Sequence, residues 1–507
     1  MSLLPWLEKQ EVAKLHKLIF LCVFVFVAGL LTHKKYWGDG DEPHYMMIAQ
    51  SLAFDRDLDL SNNYSDRNNL ISDGKLGEQH ARRGRNGTLY PDHDIGLPLL
   101  MCPWFAASYK IAQIFPERFL SKIRLNRWGL LKTLLALAMI GVTGLLGIHL
   151  FDISLHLNQN KSVSFLGSLF FILSPPLLSF SYLFFTEILS AMLALYVYKK
   201  IKTENTFSNS TGSWTGFWTG YLFLIHVRNV WLIGVLCGLA ILKWWDGPQN
   251  KNGVLRFFAS FLMVIALRTS LNLYLWDRLV STASTALYAS PTFLPVLKDV
   301  VLRVFALSFD QEGGFLIFAP AYLFGLAGLI LLWQRSRRTF FEVVVMFFGN
   351  YFLIVSFPIW NGQGWSGFWS PAGRYLAPAA AFLAIPAIVL LSNLRPFSFL
   401  AKALICLQSA LDLLFWQVPK LLWNDGHGAS RFLLFLDPSG SLTRLFPSWS
   451  VFSYRALTLS IFFLLFGAGI VLRLIQTARS HKFPLDKNRK VHLSQQDAWE
   501  NLKVGIP

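Results

Sequence analysis

The residues able to do chemistry in this chain are few, and they gather where apolar runs begin or end. The stretch YWGDGDEPHYMMIAQSL, residues 36–52, puts Asp39, Asp41, Glu42 and His44 directly after an apolar run. Further charges follow: Glu187 in SPPLLSFSYLFFTE, Arg228 in IHVRNVW, Asp310 and Glu312 in SFDQEGGF, and Arg374 in WSPAGRYLAP. An ionisable group set in apolar sequence is costly unless partnered, so each marks a structural pair or a working site. A carboxylate can take the proton from a hydroxyl or amine as it attacks a sugar carbon. Guanidinium forks suit a departing phosphate, and a carboxylate also favours the oxocarbenium-like state in between. Base, arginine clamp and apolar groove together describe transfer of a sugar from a lipid phosphate.

Plainer accounts exist for each group. Glu187 and Arg228 lie within continuous apolar sequence and can pair with each other. Asp310 and Glu312 can open the next helix, where carboxylates favour the N-terminal dipole. His44 suits a structural hydrogen bond better than a metal, and Trp360, Trp365 and Trp369 read as interfacial anchors. Asp55, Asp57 and Asp59 alternate with apolar residues and read as solvated.

The elements that must hold these groups are membrane helices. Of 507 residues, 54% are hydrophobic and 15% charged, with a mean hydropathy of +0.43. So little polar sequence cannot cover a soluble surface of this size. Apolar runs predict spans at 17–33, 128–150, 163–181, 183–199, 214–227, 229–245, 255–275, 314–333, 340–359, 375–393, 398–416 and 456–474. Each should be a helix, because a helix satisfies its own backbone in lipid. The result is an all-α polytopic membrane protein of about 12 spans, the first of them uncleaved. The segment DHDIGLPLLMCPWFAASYKIAQIF, about 92–115, is interrupted by Pro98, Pro103 and Lys110 and reads as a helix lying in the interface.

The formal net charge of +17 fits basic cytoplasmic loops rather than nucleic-acid binding. KKIK (199–202), KWWDGPQNK (243–251), QRSRR (334–338), the tail containing HKFPLDKNRK, and Lys9, Lys14 and Lys17 then share the cytoplasmic side. The acidic motif, Glu187, Arg228, Asp310, Glu312 and Arg374 share the outer side. A first external loop of about 34–127 lies there too, including the basic run 118–127. Cys22, Cys102, Cys237 and Cys406 lack metal spacing and read as small core residues.

At these residues the chain resembles the GT-C membrane glycosyltransferases, and among them the protein O-mannosyltransferases and lipid A aminoarabinose transferases. GDEPHYMMIAQSL is similar to the acidic motif opening that family's first external loop, and YPDHDIGLPLL to the proline-containing segment that follows it. Glu187 stands where the family has a second external acid, usually Asp, and Arg374-Tyr375-Leu376 matches an RYL near a late outer helix end. FDQEGGFLIFAP resembles a feature of bacterial members. The resemblance runs through about 30–400 in order of elements. It implies a catalytic membrane module over 1–416, then an external loop, a last span and a basic cytoplasmic tail over 417–507.

It also implies a polyprenyl-phosphate-linked sugar as donor and a glycan, lipid or protein as acceptor, with inversion by single displacement. The setting would be the lipid bilayer of a bacterial inner or plasma membrane, with the site facing the extracytoplasmic side. Asp41 is then the general base, Glu42 orients it or the acceptor, and Glu187 assists. Arg228 and Arg374, helped by Arg82, Arg83 and Arg85, hold the donor phosphate. His44, Tyr45, His93, Asp310, Glu312 and Tyr375 line the substrate sites. No cofactor or metal ligand set is assigned, although Asp41, Glu42 and Glu187 could ligate a divalent ion. The competing readings are a secondary transporter, which needs related halves and a midplane site, and a flippase or binder of lipid-linked sugars.

Overall fold

Local turn chemistry decides where the apolar runs start as helices. The computed structural model describes residues 3–32, 40–66, 69–71, 76–279, 293–356, 370–394, 399–449 and 453–479. Asp39, Trp360, Trp365, Trp369 and the HKFPLDKNRK tail lie outside the described residues. The Asn126 side chain accepts from Gly129 N to start Arg127–Asn158, Asn160 does the same for Lys161–Ile172, and Ser208 for Asn209–Ile225.

Among the described residues, eight helices are long and apolar enough to cross a membrane. They are Val12–Leu30, Arg127–Asn158, Val227–Trp245, Pro248–Trp276, Arg337–Ser356, Arg374–Leu391, Phe399–Gln417 and Tyr454–Ala478. The chain is an all-α membrane protein. Four more expected spans fall on helices that are shorter or less apolar: Lys161–Ile172, Thr186–Thr203, Asn209–Ile225 and Leu323–Arg335. Among the described residues, one helix of span-like length was not expected. Phe293–Phe309 carries Lys298, Asp299 and Arg303, which interrupt its apolar pattern in the sequence.

The centre of the bundle is Ala377–Leu391, buried along nearly its whole length. The glycines of Leu323–Arg335 let that helix approach it backbone to backbone. A Cβ at Gly325 would lie 2.5 Å from Leu383 O, and one at Gly328 2.0 Å from Pro386 O. A second such seam joins Asn209–Ile225 to Lys251–Trp276, where a Cβ at Gly212 would lie 1.9 Å from Gly253 O and one at Gly216 2.0 Å from Phe257 O. On the end of the bundle away from Arg374, Glu342 binds Lys202 at 2.7 Å and the Tyr198 hydroxyl at 2.9 Å, tying two helices together.

The expected interface segment is the helix Gly96–Ile114. It buries Leu97, Met101, Phe105 and Ala112 against the bundle, while Leu99, Leu100, Trp104, Ile111 and Ile114 face outward. Apolar on both faces, it suits a boundary between protein and lipid. Just before it, Ala81–Arg83 pairs antiparallel with Leu89–Pro91, a small ribbon that the all-helical expectation left out. Its turn uses left-handed backbone at Asn86 (φ 59°) and Gly87 (φ 76°).

Candidate active site

Gly373, at φ 73°, turns the chain into the central helix and leaves Arg374 at its mouth. Two acids share this guanidinium. Nη2 donates to Asp41, and Nε donates to Glu187 Oε1 at 2.7 Å, with the guanidinium 4.8 Å over the Phe185 ring. Glu187 comes from the first turn of Thr186–Thr203. Asp41 opens the helix Glu42–Gln50, its carbonyl accepting from the backbone N–H groups of His44 and Tyr45.

The acid pair splits. Asp41 faces the site, whereas Glu42, 3% exposed, turns into the protein. Glu42 Oε1 accepts from Phe184 N at 2.8 Å, and Oε2 lies 3.6 Å from Lys132 Nζ. The expectation that Glu42 touches the acceptor gives way to a fastening of the segment leading into Glu187.

Asp41 Oδ1 faces two imidazoles, His80 Nε2 at 3.9 Å and His93 Nε2 at 3.8 Å. The ribbon explains this pair. Its register sets Ala81 opposite Pro91, Asp92 N donates to His80 O at 3.0 Å, and the His80 and His93 rings stack at 4.7 Å. His44 makes the structural hydrogen bond expected of it, to Tyr64 at 2.6 Å, and Tyr45 stacks on His93 at 4.7 Å. Burial pushes His93 down to about 4 and His44 down to about 3, and lowers His80 as well. All three are neutral at pH 7. Burial alone would raise Asp41, but the Arg374 guanidinium overrides it and holds the carboxyl well below the usual carboxylate range.

Asp41, His80 and His93 offer ligand atoms within 4.8 Å of one another. The His93 Nε2 is buried with no hydrogen-bond partner among the described residues, which fits a nitrogen placed to ligate. One carboxylate and two neutral imidazoles suit a divalent ion of the zinc or manganese class. Of the three acids that could ligate an ion on sequence grounds, only Asp41 belongs to this trio, and both glutamates are engaged elsewhere.

Beside Arg374 lies a cleft with about 310 Å³ of open space, lined by Glu187, His226, Arg228, Asn350, Arg374 and Tyr375 among others. Arg228 stacks on the Tyr375 ring at 4.7 Å and donates through Nε to His226 Nε2 at 3.0 Å. Two arginines and one carboxylate line this cleft, so it is net positive. The simple pairing of Glu187 with Arg228 is not formed; Glu187 pairs with Arg374 instead. Behind His226, Asp94 accepts from Val227 N at 3.0 Å and from Arg268 Nη2 at 2.6 Å.

Other expected residues lie apart from this cleft. Arg82 pairs with Asp92 at 3.0 Å, Arg83 donates to Gly87 O at 2.9 Å, and Arg85 is 3.7 Å from Asp277. All three are well exposed on the ribbon, and none lines the cleft. Asp310 accepts from Glu312 N, Gly313 N and Trp449 N, while Glu312 accepts from Gly426 N and Gly428 N. Their oxygens are filled by backbone donors, so they clasp the 419–449 segment onto the bundle in place of a substrate. His80, Asp94, His226 and Arg268 escaped the sequence reading. Asp94 and His226 adjoin flagged residues, but His80 and Arg268 become visible only through the ribbon and the helix seam.

No family model matches the chain, and no curated protein matches it. Among solved structures, it is similar to the archaeal oligosaccharyltransferase AglB from Archaeoglobus fulgidus in complex with an inhibitory peptide and a dolichol-phosphate. That match has 14% identity and a TM-score of 0.41, over 87% of this chain and 61% of that one. A second is the Archaeoglobus fulgidus oligosaccharyltransferase in complex with Zn and sulfate, at 13% identity and a TM-score of 0.40, over 86% and 58%. The chain spans about three-fifths of the length of these structures.

Proposed function

We propose that the protein is a GT-C-type glycosyltransferase of about 12 spans that moves a sugar from a polyprenyl-phosphate donor to an acceptor at the extracytoplasmic face. The module over 1–416 does the chemistry, and 417–507 supplies an external cover, a last span and the tail. The observation that carries this reading is the sharing of Arg374 between Asp41 and Glu187 at the edge of a net-positive cleft. A transporter would keep its polar site at mid-membrane within helices. Here the polar cluster joins helix mouths to a ribbon.

Arg228 and Arg374 offer forked donors to a phosphate entering the cleft. That phosphate competes with Asp41 for Arg374. While the guanidinium sits on Asp41, the carboxylate is a poor base; once the phosphate draws it away, Asp41 regains basicity. The base is therefore switched on by the donor. Asp41 takes the proton of the acceptor hydroxyl as that oxygen bonds to the anomeric carbon. The bond from this carbon to the phosphate oxygen breaks, its electron pair leaves on the phosphate, and the two arginines hold the resulting charge. A single displacement inverts the carbon. Asp41, His80 and His93 would hold a divalent ion, whose chemistry there is stabilisation of negative charge.

The test is sugar transfer by the purified protein in proteoliposomes supplied with a radiolabelled polyprenyl-phosphate sugar. Asp41→Asn should lower turnover by roughly 10²–10⁴-fold while donor binding persists. Normal turnover in that variant refutes Asp41 as the base, and donor translocation without transfer by the wild type refutes the enzyme. Sidedness is read with an impermeant maleimide on a cysteine-free background. Arg83→Cys should label from outside and Gln334→Cys should not; equal labelling of both refutes the topology.

A further inference from the structure

A second cleft adjoins His93, between residues 91–95 and the helix Lys251–Trp276, and opens to solvent. Its chemistry differs from that of the first. Arg268 is 4% exposed, its Nη2 is held by Asp94 at 2.6 Å, and its guanidinium lies 4.0 Å over the Phe223 ring. The Nη1 of the same guanidinium is buried and has no hydrogen-bond partner among the described residues. A buried, charged N–H without an acceptor is costly to leave unmade, so it points to an oxygen supplied by a ligand.

The charges say which kind of oxygen. Asp92 and Asp94 both line this cleft, and each is paired with an arginine, Arg82 and Arg268. Among the lining residues only Arg268 is cationic, and Arg82 offsets Asp92 from outside the cleft, so a phosphate meets two carboxylates here, unlike in the net-positive first cleft, and each carboxylate already holds a guanidinium. A neutral, hydroxyl-rich ligand meets a donor in Arg268 and acceptors in the carboxylates. Leu271, Leu275 and Trp276 add an apolar wall suited to the C–H face of a sugar ring.

We infer that this cleft is a subsite for a neutral carbohydrate, the sugar that accepts the transferred residue. The inference rests on the transferase reading and deepens it: the acceptor is a glycan rather than a protein side chain. Asp94 lines this cleft, accepting from Arg268, and also accepts from Val227 N, the neighbour of Arg228, which lines the first cleft. An occupant bonded to Arg268 therefore bears on the loop that carries the second phosphate arginine.

The experiment is saturation-transfer NMR on the full chain in nanodiscs, without donor, using a panel of neutral methyl glycosides. Arg268→Lys keeps the charge beside Asp94 and removes the Nη1 donor; the paired variant Arg268→Gln with Asp94→Asn covers the case in which the lysine form does not fold. At least one glycoside should bind, inorganic phosphate should not displace it, and the folded variant should weaken it about tenfold. The inference is overturned if no glycoside binds the folded wild type, if phosphate displaces it, or if a folded variant binds equally well. The two readings separate cleanly. Arg268-dependent glycoside binding with no transfer from any polyprenyl-phosphate sugar removes the enzyme and keeps the subsite. Transfer to a serine or threonine peptide with no glycoside binding removes the subsite and keeps the enzyme.

Discussion

Replacing Arg374 with lysine keeps the charge and removes the fork. The guanidinium reaches Asp41 through Nη2 and Glu187 through Nε at 2.7 Å, and it lies 4.8 Å over the Phe185 ring. A single ammonium nitrogen cannot hold that arrangement, so one charge-assisted bond is lost, worth about 1.5–3 kcal/mol. The ring contact contributes about 0.5–1 kcal/mol more. Arg374 is only 9% exposed, so solvent screening takes little from these figures. If the same fork grips the departing phosphate, the loss of about 2–4 kcal/mol corresponds to a drop of roughly 30- to 900-fold in kcat/KM. The assay is steady-state transfer in proteoliposomes with the lipid-phosphate donor titrated at several pH values. Where the lost bond is the one to Asp41, that carboxyl should also titrate nearer the ordinary carboxylate range, moving the acid limb of the profile to higher pH. Wild-type kinetics in a folded variant would take Arg374 off the phosphate and remove the donor-switched base with it. An unmoved acid limb in that case would show that Arg374 is not what suppresses Asp41.

Glu42→Gln keeps an acceptor for Phe184 N but loses the ion pair to Lys132, so Tm should fall while turnover stays within about tenfold. A larger loss of turnover at unchanged Tm would put Glu42 in the chemistry. Asp310→Asn turns an amide towards one of three backbone N–H donors, at a cost of about 1–3 kcal/mol. Deuterium uptake over 419–449 should quicken with donor affinity unchanged; the reverse would make Asp310 a substrate contact. Burial holds His93 at about 4 in the folded protein against 6.5 when unfolded, so the unfolded chain binds the extra proton between those values. Its contribution to stability is full above 6.5 and is lost as pH falls towards 4; His93→Gln should flatten that slope, and an unchanged slope refutes it.

Eight of the expected spans were legible because twenty-odd apolar residues have one stable form in lipid. All twelve expected runs fall on helices. Asp41, Glu187 and Arg374 could be set on one face from the sequence, but the pair it offered for Glu187 was Arg228, and only the structure joins both acids through Arg374. The split between Asp41 and Glu42 was not. Adjacent residues at a helix start diverge by about 100°, and only the position of Phe184 decides which one turns inward. His80 was hidden because a short ribbon leaves almost no periodic trace. Asp310 and Glu312 looked like site acids because the sequence cannot show which oxygens backbone N–H groups will fill. The glycine backbones of 426–428 lie over a hundred residues away from them.

The glycine seam between Asn209–Ile225 and Lys251–Trp276 acts as a gauge. With Gly212 and Gly216 pressed on carbonyls of the facing helix, the two rods have no freedom to approach further, and their spacing is fixed where side chains are absent. Leu224 and Arg268, opposing walls of the second cleft, ride on the far ends of those same rods. The width of that cleft is thus ruled by atoms about two to four helical turns away. A single methyl group added to the seam, touching nothing that binds or reacts, would reset the bore.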